Sequence, residues 1–299
     1  MMKKIVYITI ILALSSGIAT AQNSSNLIQN GQDNEVILNQ INSNEALIFQ
    51  GDGFAFYPGA DQEGTATGNL SDINQSGNNL VYVGQGVNEG TSINSEAYIS
   101  QTGDNYADVF QGVLREAVDA NADITQSGSN NQGFARQSQV GYVTNVDATI
   151  LQNGNSNYAS ILQGFGGNSE SESNEAEITQ QGSNNASTTI LQGSNVASAG
   201  PGSGAGFALN NSANITIIGS SNGTVEGVRI NQGINGGSSE NNTGYILQEG
   251  NFNDSIINQG VGNGAASSDS EANVYQYSNS NMSTVNQNGA NNSTVVTQD

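Results

Sequence analysis

Two kinds of side chain in this sequence can do chemistry: carboxylates and primary amides. The chain holds 26 Asp and Glu but no His, Cys or Trp. Without His or Cys, most nucleophile–base pairs and the usual zinc and copper ligand sets are excluded. The acids gather between apolar segments, as at Glu170, Glu172, Glu175 and Glu177, and again at Asp269 and Glu271. Such hard oxygen ligands suit calcium. They equally suit a solvated, self-repelling stretch that discourages aggregation. No D-x-D-x-D-G loop or Gly-rich nonapeptide is present, so the sequence assigns no metal and no cofactor. No acids and bases converge as glycosidic cleavage requires, and the reading is that of a non-enzyme.

The amides carry the order. Glutamines come in pairs ten to twelve residues apart: Gln40/Gln50, Gln75/Gln85, Gln101/Gln111, Gln126/Gln137, Gln152/Gln163, Gln180/Gln192, Gln248/Gln259 and Gln276/Gln287. One irregular unit has Ile217 in place of its first glutamine and Gln232 as its second. Gln29 stands eleven residues before Gln40, and Gln298 eleven after Gln287. Between the members of a pair lie Gly and Asn. Asn105, Asn131, Asn157, Asn253, Asn281 and Asn292 recur just before the second half of the unit.

Around each glutamine the apolar residues fall on every second position. Ala148, Ile150 and Gln152 share one face, as do Ala159, Ile161 and Gln163. This is the period of a strand, and no segment beyond the N-terminal region shows a helical one. The intervening Gly and Asn tolerate left-handed backbone angles and suit a tight turn. One strand–turn–strand unit buries too little to fold alone. Stacked units set each side chain about 4.8 Å from its copy, so that aliphatic columns close and each amide can donate to one neighbour and accept from the other. That satisfies a group otherwise costly to bury. The expected fold is therefore all-β: a β-solenoid of about nine stacked strand–turn–strand rungs, two parallel sheets facing each other, with one extra strand at each end. Residues 51–70, with Pro58, and 193–212, with Pro201, interrupt the rhythm and read as loops extruded from the stack.

Residues 1–21 read as a secretory signal peptide. Lys3 and Lys4 precede the apolar run from Ile5 to Leu14, and Ala19-Thr20-Ala21 offers a cleavage site. Residues 22–299 are then the repeat solenoid. They carry three arginines, Arg115, Arg136 and Arg229, against 26 carboxylates, a net of −23. Such a surface disfavours nucleic acid and anionic lipid, and no other stretch is apolar enough for membrane insertion.

The spacing Q-x-G-x-x-N-x-A-x3-Q resembles the curlin repeat of bacterial curli subunits. Gln152–Gln163 fits it in full, Gln248–Gln259 with Ser255 for Ala, Gln29–Gln40 with Val36 and Gln287–Gln298 with Thr294. The resemblance spans nearly all of residues 22–299. It implies a subunit exported across the outer membrane of Gram-negative bacteria through a dedicated secretion channel. It further implies self-association into extracellular, fimbrium-like amyloid fibres of the biofilm matrix, templated by a nucleator subunit. It makes the inward Gln and Asn the stacking residues. This chain departs in having more repeats, longer gaps between them, and repeats that begin within a few residues of Gln22 rather than after a Gly-rich segment. A monomeric surface solenoid acting as an adhesin or binding a ligand is the competing reading, and a minor nucleator of the same fibre is another.

Overall fold

The computed structural model describes residues 22–51, 64–138, 141–166, 169–194 and 206–299, together with a strand at Ile8–Ile11. Among the described residues there is no helix, and the strands pair in parallel and in register. The chain winds as a β-solenoid. A representative rung has a first strand, Asp147–Asn155, a second, Tyr158–Gln163, and a short third, Glu170–Glu172. Ala148, Ile150 and Gln152 lie beside Ala122, Ile124 and Gln126 of the preceding rung and Ala176, Ile178 and Gln180 of the next. The first strands make one face and the second strands the facing one. Nine rungs carry both, as the glutamine pairs predict.

A half-rung flanks them at each end. Ser24–Gln29 lies on the second face beside Glu45–Gln50. Ser293–Gln298 lies on the first face beside Glu271–Gln276. Of the expected leader only Ile8–Ile11 is described, and it pairs with Val36–Asn39. Of the two expected loops, residues 52–63 and 195–205 lie outside the described residues. At their margins Thr65–Thr67 and Phe207–Leu209 are third strands, and Leu70–Gly77 and Ser212–Ile218 are the next first strands.

The third side is absent from the sequence reading. Three-residue strands stack there from Thr65–Thr67 through Tyr142–Thr144 to Ala266–Ser268, ending on the two-residue Gly289–Ala290. Each three-residue strand points one small residue inward, among them Ala66, Ser92, Ala117, Val143 and Ser171, all buried. The gap between glutamine pairs is thus a wall of the solenoid.

The core is thin because small residues face large ones. Columns of Ile and Val, such as Ile99, Ile124, Ile150, Ile178, Ile215 and Ile246, are shut off from solvent. A Cβ added to Gly133, on the second face, would stand 3.0 Å from Ile124 Cγ2 and 3.1 Å from Gln126 Nε2. The Ala or Gly position of one face therefore seats the Ile and Gln of the other. Each fully buried Ile is worth about 2–3 kcal/mol, and the column repeats that gain at each rung.

Two glycine positions shape the corners. After the second glutamine the chain turns with a left-handed residue, Gly112 at φ 68° for example, and Ser138 takes the same conformation at φ 60°. In the turn between the faces Gly154 has φ 132°, and a Cβ there would meet the Gly182 carbonyl oxygen at 1.7 Å. Gly154→Ala is expected to lower stability by more than about 1 kcal/mol, read by urea unfolding. Gly262→Ala, also at positive φ but with nothing within 4 Å, is the control and should cost less.

Candidate functional site: stacked amide columns and open edges

The inward glutamines form two columns. On the second face the column is continuous through Gln29, Gln50, Gln85, Gln111, Gln137, Gln163, Gln192, Gln232, Gln259 and Gln287. Each Nε2 donates to the Oε1 of the next rung at 2.7–3.1 Å. On the first face Gln40, Gln75, Gln101, Gln126, Gln152 and Gln180 are joined in the same direction, again at 2.7–3.1 Å. Gln248, Gln276 and Gln298 form a second run at 2.8 Å. Most of these amides also donate to a second acceptor within the protein. Gln163 Nε2, for instance, reaches Asp147 O at 3.1 Å and Asn174 O at 3.4 Å.

Between the two runs stands Ile217, in register with Gln180 on one side and Gln248 on the other. Gln180 Nε2 turns instead to Thr188 Oγ1 at 2.8 Å. Gln248 Oε1 is left buried without a donor. The irregular unit seen in the sequence is thus a fault in one column, bridged by a fully buried aliphatic side chain.

The asparagines fall into two columns, one at each end of the first face. Asn44, Asn79, Asn105, Asn131, Asn157, Asn185, Asn222, Asn253 and Asn281 occupy the turn between the faces. Here the polarity is reversed, since the backbone N–H of each rung donates to the Oδ1 of the rung before, as from Asn131 to Asn105 at 3.2 Å and Asn253 to Asn222 at 2.8 Å. Asn292 does not belong to that column. It lies at the corner between third side and first face, where its N–H meets Ser270 Oγ at 3.1 Å. Asn69, Asn174, Asn211 and Asn242 share this corner, and Asn242 N donates to Asn211 Oδ1 at 2.8 Å. In its middle Ala120 and Val146 replace the amide and pack on Ala117 and Val143. This corner column is legible in hindsight, because Asn174-Glu175-Ala176 before Gln180 repeats the N-x-A-x3-Q spacing of the second strands.

Outside the columns, two features bear on surface chemistry. Tyr82, Tyr106, Phe134 and Tyr158 form a zigzag row on the outer second face, with centroids 5.8, 5.5 and 5.3 Å apart. Beside them Asp108 and Phe110, outward by strand period, are nonetheless buried. Phe110 packs with Phe49, Val87 and Val113, the last two carried by corner segments that fold back over the face. Burial pushes the Asp108 carboxyl up from its ordinary value, opposed by Arg136, whose Nη2 donates to Oδ2 at 2.8 Å. Glu170 and Glu172 stand on the third side and Glu175 and Glu177 on the first face. Among the described residues no three acids come together as a metal site, and no helix is long and apolar enough to cross a membrane.

The fold and these columns define a class: a parallel β-solenoid whose interior is held by stacked side-chain amides. Residues 144–172, which hold one full rung from its first strand to its third, match the curlin associated repeat. No curated protein matches the chain. The curlin repeat marks a curli-like structural subunit in general.

Gln163→Leu should leave Gln192 Oε1 without its donor and cost about 1–3 kcal/mol, whereas Tyr158→Ser, on the outer face, should cost far less. Urea unfolding of the two variants checks this. Ile217→Gln should reconnect Gln180 with Gln248 and stabilise the fold by about 1 kcal/mol, seen as a higher unfolding midpoint.

Proposed function

We propose that this protein is the secreted structural subunit of a curli-like extracellular fibre. Residues 1–21 direct its export and are removed. The exported chain then self-assembles, by stacking of its Gln- and Asn-laddered rungs, into amyloid fibres of a biofilm matrix and surface adhesion layer. Its partners are copies of itself, a nucleator subunit and a curli-type outer-membrane secretion channel. The reading is non-enzymatic and uses no cofactor.

The observation that carries the reading is that the amide columns reach both ends of the solenoid and stop at strand edges. A parallel edge with unpaired N–H and C=O groups is a template for another strand. The columns extend that template into the core. A curlin repeat with such edges fits a polymer better than a monomeric adhesin.

The exported chain is expected to form fibres that bind amyloid dyes and diffract at about 4.7–4.8 Å along their axis. The net charge of −23 on residues 22–299 opposes association, so moderate salt should shorten the lag before fibres appear. A chain that stays a cooperatively melting monomer for days at high salt, with no such reflection, would overturn the fibre reading in favour of a monomeric surface solenoid.

A further inference from the structure

The two ends of the solenoid are not flat. On the C-terminal side the first face is one strand taller, because Ser293–Gln298 covers Glu271–Gln276 while no described strand covers Met282–Gln287. On the N-terminal side the second face of the repeat region, residues 22–299, is one strand taller, because Ser24–Gln29 underlies Glu45–Gln50, whereas beneath the first face lies only Ile8–Ile11, from outside that region. Its continuation at Gln32 bridges Thr67, so the third side is begun there as well. Each end therefore has a step of one rung, and the two steps are complementary.

We propose that copies of this chain join head to tail through one shared rung, with Ser293–Gln298 of one copy as its first strand and Ser24–Gln29 of the next as its second. This rests on the fibre reading above and specifies the partner surface. The register follows from the columns. Gln40 of one copy lies over Gln298 of the other, and Gln29 over Gln287. Thr294 and Val296 face inward on one side of the shared rung, and Ser25 and Leu27 on the other.

The polarity of the amides agrees. Within the chain each Gln Nε2 donates toward the C-terminal rungs, as from Gln276 to Gln298 at 2.8 Å. The C-terminal step thus presents the amide of Gln298, which donates to Met282 O at 3.1 Å and has a further N–H to offer the next rung. The N-terminal step offers the carbonyl oxygens of Gln29 and Gln40. The asparagine column closes the other way, with Asn281 Oδ1 at one step and the Asn23 N–H at the other. A tail-to-tail or head-to-head contact would set donor against donor or acceptor against acceptor.

The empty place on the first face also accepts a parallel strand. Ile8–Ile11 occupies it within the same chain, pairing with Val36, Ile37, Leu38 and Asn39. These are the residues that Thr294–Thr297 of a second copy would meet in the shared rung. A copy that keeps residues 1–21 has the place filled, and removal of that segment opens it.

Cysteine cross-linking tests the arrangement in a chain that has no native Cys. In the shared rung Val295 and Ile37 are outward neighbours about 4.8 Å apart at Cα, within disulfide reach. They are 62% and 38% exposed, so substitution leaves the core intact. Exported, processed copies carrying Val295→Cys are mixed with copies carrying Ile37→Cys, assembled and mildly oxidised. The expected result is a covalent dimer through residues 295 and 37, absent when either variant is assembled alone. Fibres that form without this link would overturn the shared rung and leave the fibre reading standing. If no assemblies form at all, the fibre reading fails and the shared rung fails with it. A second variant needs no cross-link. Val296→Arg places a charge inside the shared rung and should slow fibre growth by about tenfold or more. Because Val296 is only half-buried in the single chain, unfolding of the soluble form should change little. Unchanged growth would also overturn the proposal.

Discussion

A buried primary amide needs a partner at both ends, and this need governs the molecule. A carboxamide removed from water costs free energy unless its N–H and C=O groups are paired. A parallel stack supplies both pairs at the interstrand spacing, provided that the same amide recurs in the same place in each rung. Register is thereby pinned. A slip of one residue would expose the aliphatic columns and strand every glutamine at once. Two glutamine columns and two asparagine columns make the rungs mutually dependent, and the hydrocarbon core can remain thin.

Much of this is legible in the residues. The glutamine pairs report the two faces, the nine rungs and the half-rungs, because a buried amide leaves a periodic mark. Ile217 marks the fault for the same reason. The third side leaves no such mark. A strand of three residues with one small inward side chain has no period to read, and Ser92 or Ser171 resembles any loop serine. Asn292 matches the spacing of the turn asparagines although it belongs to the other corner, because both corners use N-x-A-x3-Q or a close variant. Phe110 obeys the outward period and is still buried, since burial there depends on its packing with Phe49, Val87 and Val113, and Asp108 is buried between Tyr82 and Phe134 of the adjacent strands beside the Arg136 guanidinium.

The columns also give the solenoid a direction. Glutamine amides point one way and asparagine acceptors the other, so the ends differ in chemistry as well as in outline. The mixed sequence of the outer faces is compatible with this order. Outward residues such as Asp72, Tyr98 and Asp123 share one row, and no column requires them to match.

The rung Asn121–Gln137 accommodates one residue more than its neighbour Glu96–Gln111, through a register shift between Ser129 and Gln132 with Asn130 in a left-handed conformation. Length is absorbed at the bend while both glutamines keep their places. A gene encoding such a chain therefore meets two kinds of tolerance. Single codons can be gained or lost at the bends without moving the interior. A whole unit that keeps both glutamines can be duplicated or deleted as one block, because its top matches the bottom of the next such unit. The gain or loss of one such unit in register, harmful in most proteins, would here give a taller or shorter solenoid with the same interior.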